Sequence, residues 1–80
     1  MTHDDALELV RTAIREVAPE ADLGRIEPDE TMQEALDMDS IDFLNFVIGL
    51  HQRTGLEIPE RDYPELATLE GCLEYLEARA

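Results

Sequence analysis

Leu36-Asp37-Met38-Asp39-Ser40-Ile41-Asp42-Phe43-Leu44-Asn45-Phe46-Val47-Ile48-Gly49-Leu50 carries an acidic segment into a serine and then, without a break, into apolar residues at helical spacing. Asp39 suits an N-cap, because its carboxylate can accept a hydrogen bond from a free amide of the first turn. Asp42, three residues on, completes a capping-box-like arrangement and suits the positive end of the helix dipole. Ser40 then holds the first helical position, with its hydroxyl exposed where unpaired backbone amides favour an anion.

The helix predicted from Ser40 to Thr54 ends at Gly55, a residue suited to the left-handed C-terminal position. It is too apolar to hide on one stripe. Phe46, Val47 and Leu50, with Phe43 beside them, form a core-facing set, while Ile41, Leu44 and Ile48 recur on another face.

Outward from this segment the pattern stays helical. Thr2 and Asp5 open a first helix whose Leu7, Val10, Ile14 and Val17 make one stripe, and Pro19 stops it near Ala18. Glu8 and Arg11 are placed to pair across a turn. A long connection over 19–39 follows, with Leu23, Ile26, Met32 and Leu36 as anchors and a capping pattern from Thr31 to Glu34 that predicts a helical turn near 31–36. After Pro59 the chain predicts a short helix interrupted at Pro64 and pinned by Tyr63 and Leu66. Thr68 caps a last helix with Leu69, Cys72, Leu73 and Leu76 as its core stripe and Gly71 inside it. The expectation is one domain over 1–80, all-α, a small four-helix bundle with helices near 3–18, 40–54, 60–65 and 69–79. Three are main helices and the third is short.

Composition narrows the function. The formal net charge is −14, from 20 acidic and 6 basic residues, and every basic residue is arginine. Such a surface repels nucleic acid phosphates and anionic membranes and steers toward basic patches on other proteins. From Ile26 to Gln52 there is no Lys or Arg, while Glu27, Asp29, Glu30, Glu34, Asp37, Asp39 and Asp42 accumulate. Concentrated around one exposed helix start, they read as a docking surface. No apolar run approaches the roughly 20 residues that span a bilayer, and the N-terminus lacks the basic and apolar regions of a secretory signal. A cytoplasmic monomer is expected. Cys72, the single cysteine, reads as a small buried residue.

Asp39-Ser40-Ile41, preceded by Leu36 and followed by an apolar helix, resembles the Asp-Ser-Leu modification motif of acyl carrier proteins, with Ile41 where leucine is usual. Gly55-Leu56-Glu57-Ile58-Pro59 is similar to the segment that follows the modified helix in that family. The resemblance implies a 4'-phosphopantetheine arm covalently attached to Ser40, flanked by Asp39 and Ile41, that carries acyl or aminoacyl groups as thioesters. It implies a carrier without catalytic residues, modified by a phosphopantetheinyl transferase and served by loading and transferring enzymes with basic docking patches. It assigns Ile41, Leu44 and Ile48 to partner contact and lets the bundle interior shelter an acyl chain. Asp37, Met38 and Asp42 join Leu44 and Ile48 in the expected partner-binding set. Fatty-acid carriers are commonly rich in glutamate along the later turns of this helix, where this chain has Asn45, His51, Gln52 and Arg53, and Thr54 also departs from the pattern. That implies a specialised carrier with dedicated partners, not a general one of fatty-acid synthesis.

Other chemistries fit poorly. Ser40, Asp39 and a histidine do not make a hydrolase, because the Gly-x-Ser-x-Gly elbow is missing. His51 also lies about 16 Å along the helix from Ser40, at about 1.5 Å per residue. Asp37, Asp39 and Asp42 resemble a calcium loop but lack its glycine and closing glutamate, so no metal site is expected. An acidic helical adaptor or a nucleic-acid mimic without a prosthetic group would explain the charge and the second apolar face. Neither explains the exposed serine at the acidic helix start.

Overall fold

The computed structural model describes residues 1–27 and 29–79, so Pro28 of the long connection lies outside the described residues. The architecture is all-α, as expected: α1 (His3–Val17), a 3-10 turn (Leu23–Arg25), α2 (Met32–Ala35), α3 (Ser40–Thr54), a 3-10 helix (Glu60–Leu66) and α4 (Leu69–Arg79). No helix among the described residues is long and apolar enough to cross a membrane.

Helix α1 packs on both α3 and α4, and the 3-10 helix packs on α4. The Thr2 hydroxyl accepts from the Asp5 amide at 3.1 Å, which caps α1 and fixes its register. Val10 and Ile14 of the expected stripe are fully buried, with Ala6 and Ala13 beside them. From α3 come Phe46, Val47 and Leu50, from α4 Cys72, Leu73 and Leu76, and between them lie Met32 and Leu66. Arg53, near the end of α3, donates to the Gly49 carbonyl at 3.2 Å and pairs with Glu16, joining α3 to α1.

The connection 19–39 is more ordered than a loop. The Asp22 carboxylate accepts from the Gly24 amide at 3.0 Å and holds the 3-10 turn, and the Thr31 hydroxyl accepts from the Glu34 amide at 3.3 Å to start α2. An isolated bridge between Thr31 and Thr68, with the Met32 amide donating to the Ala67 carbonyl at 2.8 Å, ties the connection to the entry of α4.

Two features differ from the sequence expectation. Pro64 does not interrupt the short helix, which runs through it to Leu66. In a 3-10 helix proline removes one donor, and the bonds from Asp62 to Pro59 and from Ala67 to Pro64 remain. Tyr75, absent from the expected stripe, is buried on α4 and donates its hydroxyl to Asp62 at 2.8 Å. Gly71 has a clear reason: a Cβ there would stand 2.4 Å from the Glu65 carbonyl oxygen, so only glycine lets the 3-10 helix lie so close to α4.

Candidate functional site

The site is the start of α3. Asp39 caps it with extended backbone, φ −84° and ψ −178°. Its carboxylate accepts from the Asp42 amide at 2.8 Å, while the Asp42 carboxylate accepts from the Asp39 amide at 3.4 Å. This reciprocal pair fixes the helix start. With the Asp42 amide taken by the cap, the amides of Ser40 and Ile41 have no acceptor inside the helix. Ser40 is exposed, and its hydroxyl makes no hydrogen bond among the described residues. An open hydroxyl beside two free amides at the positive end of a 15-residue helix suits a phosphodiester.

The chain reaches this point through a sharp reversal. Asp37 has φ 55°, a left-handed conformation that a short polar side chain tolerates best after glycine. The Met38 amide then donates to the Gln33 carbonyl at 2.9 Å. This reversal corrects the expectation for Met38. It is only 6 % exposed and belongs to the core, so it anchors the loop and is not presented to a partner. Asp37 and Asp39, on either side of it, are exposed.

The second apolar set of α3 does face outward. Ile41 is 69 % exposed, and Leu44 and Ile48 are each 42 % exposed. Beyond Asp42, α3 carries no carboxylate, and His51 holds its Nδ1 within 2.6 Å of the Leu56 carbonyl. The outward face is therefore acidic at the serine end and uncharged along its middle. Glu34, Asp37 and Asp39 lie exposed at that acidic end. Among the described residues no three His, Cys, Asp or Glu side chains gather into a group able to hold a metal ion.

Beside Ser40 lies a groove of about 360 Å³ that also involves Gln33, Phe43, Leu44, Glu60 and Tyr63. Phe43 and Tyr63, both in its lining, meet edge to face with ring centroids 6.3 Å apart. The sequence pattern marks Tyr63 only as a pin and Glu60 only as the start of the short helix, and it gives Gln33 no role. Their approach to Ser40 depends on how the loop and the 3-10 helix pack, and local periodicity holds no signal for it. Cys72 plays no part here: it is buried in α4, and burial pushes its thiol up to about 12.

Residues 8–76 match the family model described as the phosphopantetheine attachment site. The chain is 39 % identical over 57 residues to an acyl carrier protein of Lactobacillus johnsonii, covering 71 % of each chain. It is 27 % identical over 74 residues to an acyl carrier protein of Helicobacter hepaticus, covering 92 % of this chain and 96 % of that one.

Proposed function

The chain belongs to the acyl carrier protein family, whose members bear a covalently attached phosphopantetheine group, and on that premise we propose that Ser40 is the attachment residue. The observation that carries this reading is the exposed, unbonded Ser40 hydroxyl on a capped helix start. When bound, the arm supplies a terminal thiol that holds an acyl or aminoacyl group as a thioester. Everything else falls to the protein's own side chains. Ser40 contributes the oxygen of the linkage. Asp39 and Asp42 hold that oxygen at a fixed place by locking the helix start, and with Asp37 they supply the negative field that draws in a basic enzyme surface. Ile41, Leu44 and Ile48 offer the apolar contact that follows such an encounter.

The whole chain then acts as a single non-catalytic carrier domain. It is modified by a phosphopantetheinyl transferase and visited by loading and transferring enzymes with basic docking patches. The uncharged middle of α3 supports specialised partners over those of general fatty-acid synthesis, the net charge of −14 supports a monomer, and the cytoplasm is the proposed place of work. The test is incubation with a phosphopantetheinyl transferase and coenzyme A, read by intact mass. The wild-type chain gains the mass of the arm. Ser40→Ala gains nothing and keeps the helical circular dichroism of the wild type. Modification of the variant, or none of the wild type, overturns the assignment.

A further inference from the structure

A second concave surface lies between α1 and α4, built without any residue of α3. It is a groove of about 630 Å³ whose apolar side is formed by Leu7, Leu23 and Leu73, and Glu70 and Glu74 stand on its α4 rim. Those two carboxylates are exposed, one helical turn apart, and make no ion pair among the described residues. The basic groups nearby are already engaged. Arg11, the one arginine in its lining, pairs with Glu8 of its own helix at 3.8 Å, and the His3 ring lies 3.5 Å from the Glu77 carboxylate. The uncompensated charge along the groove is therefore negative, so an occupant has to bring cationic groups to the α4 side and an apolar ridge to the floor.

We propose that this groove is a second docking surface, and that its occupant is a short basic amphipathic helix of a partner protein. The space between two packed helices takes the side-chain ridge of a third. Lysine or arginine at positions i and i+4 of that helix matches the one-turn spacing of Glu70 and Glu74. An anionic ligand, whether nucleic acid or lipid headgroup, meets net repulsion there, since Glu70, Glu74 and Glu77 outnumber Arg11 in the lining. Because the groove draws on α1, α4 and the Leu23–Arg25 turn, its occupation leaves the Ser40 face open. One protein can hold the domain there while another engages the serine, because the two grooves share no lining residue. This inference does not depend on what Ser40 carries.

The test is a methyl and amide NMR titration of the unmodified full chain. The probe is a synthetic leucine-lysine-alanine peptide of about 14 residues, roughly 21 Å when helical, with leucines at helical spacing. A scrambled peptide of the same composition is the control. The expected result is saturable shifts centred on Leu7, Leu23 and Leu73. Affinity falls about tenfold in Glu70→Lys/Glu74→Lys, and by less in Glu70→Gln/Glu74→Gln, while the same charge change at exposed residues outside the groove, Glu20→Lys/Glu57→Lys, changes it less than about twofold. The proposal is overturned by shifts centred on Ile41, Leu44 and Ile48, by equal binding of the scrambled peptide, by indifference to both Glu70/Glu74 variants, or by no saturable binding.

Discussion

At the start of α4 the Thr68 hydroxyl accepts from the Gly71 amide at 3.0 Å; at the start of α3 the Asp39 carboxylate accepts from the Asp42 amide at 2.8 Å. The local rule is the same, yet the surroundings are opposite. Thr68 is half-buried, bridged to Thr31, and followed by Gly71 pressed under the Glu65 carbonyl and by fully buried Cys72. Asp39 and Ser40 stand in solvent, ringed by carboxylates, with 69 % of Ile41 exposed after them. One capped start closes the bundle and the other presents a hydroxyl. A helix cap therefore fixes where a residue sits, and the packing around it decides whether that residue is structural or available.

If that contrast is right, substitutions at the α4 start should damage stability and leave the α3 start working. The largest effect is expected from Gly71→Ala. Placing a Cβ 2.4 Å from a backbone carbonyl forces the 3-10 helix away from α4. Overpacking costs about 1–3 kcal/mol, and the better helix propensity of alanine offsets about 1 kcal/mol of that. The backbone obstacle puts this site at the upper end, for a net loss of about 2 kcal/mol in urea unfolding. At a temperature where the variant is folded, Ser40 should still be modified at the wild-type rate. An unchanged stability, or a slowed modification in a folded variant, would break the comparison.

Cys72 sharpens it through pH. Its thiol rises from an ordinary 9.0 to about 12 because burial disfavours the thiolate. A group with a raised folded pKa contributes stability that is complete below 9.0 and is lost as pH climbs toward 12. In that window unfolding becomes easier by about 1.4 kcal/mol per pH unit for this one group. Tyr75 shifts in the same direction, from burial first and then from its bond to Asp62, so the useful range is its lower part. Urea unfolding at pH 8 and pH 10 should show wild type losing about 1 kcal/mol more than Cys72→Ala. Equal losses would mean that the thiol is reachable by water and the α4 start is less closed than it looks.

The two starts were not equally legible in the sequence. Asp39, Ser40 and Asp42 could be placed because a capping box is a three-residue rule, and the opposed faces of α3 because helical spacing separates Phe46 and Leu50 from Leu44 and Ile48. Thr68 was found by the same logic. What escaped depended on distant partners. The burial of Met38 follows from the left-handed turn at Asp37, a conformation that no neighbouring glycine announces. The reason for Gly71 lies in a carbonyl of another helix, and Pro64 sits inside a helix because that helix is 3-10 and not α. Tyr75 stands three residues from Cys72 on the same stripe, but an apolar ring with a polar tip suits a surface position as well as a buried one.

The smallest effect tests the α3 start itself, where one carboxylate is assigned both a structural and an electrostatic part. Asp39→Asn keeps an oxygen able to accept from the Asp42 amide and removes the charge; Asp39→Ala removes both. Loss of the cap costs about 1 kcal/mol in such cases, so Ala should be less stable by that amount and Asn by only a few tenths. Modification by the transferase should divide differently. Both variants lose the charge, so both should be slower than wild type at low salt, and the gap should close as added salt screens the approach. The difference between Asn and Ala in unfolding, set against their similarity in kcat/KM at low salt, separates cap from field. Were Asn to be modified as fast as wild type at low salt, Asp39 would be a cap like Thr68 and no more. The negative field would then rest on Asp37, Asp42 and Glu34, and the contrast between the two helix starts would reduce to exposure alone.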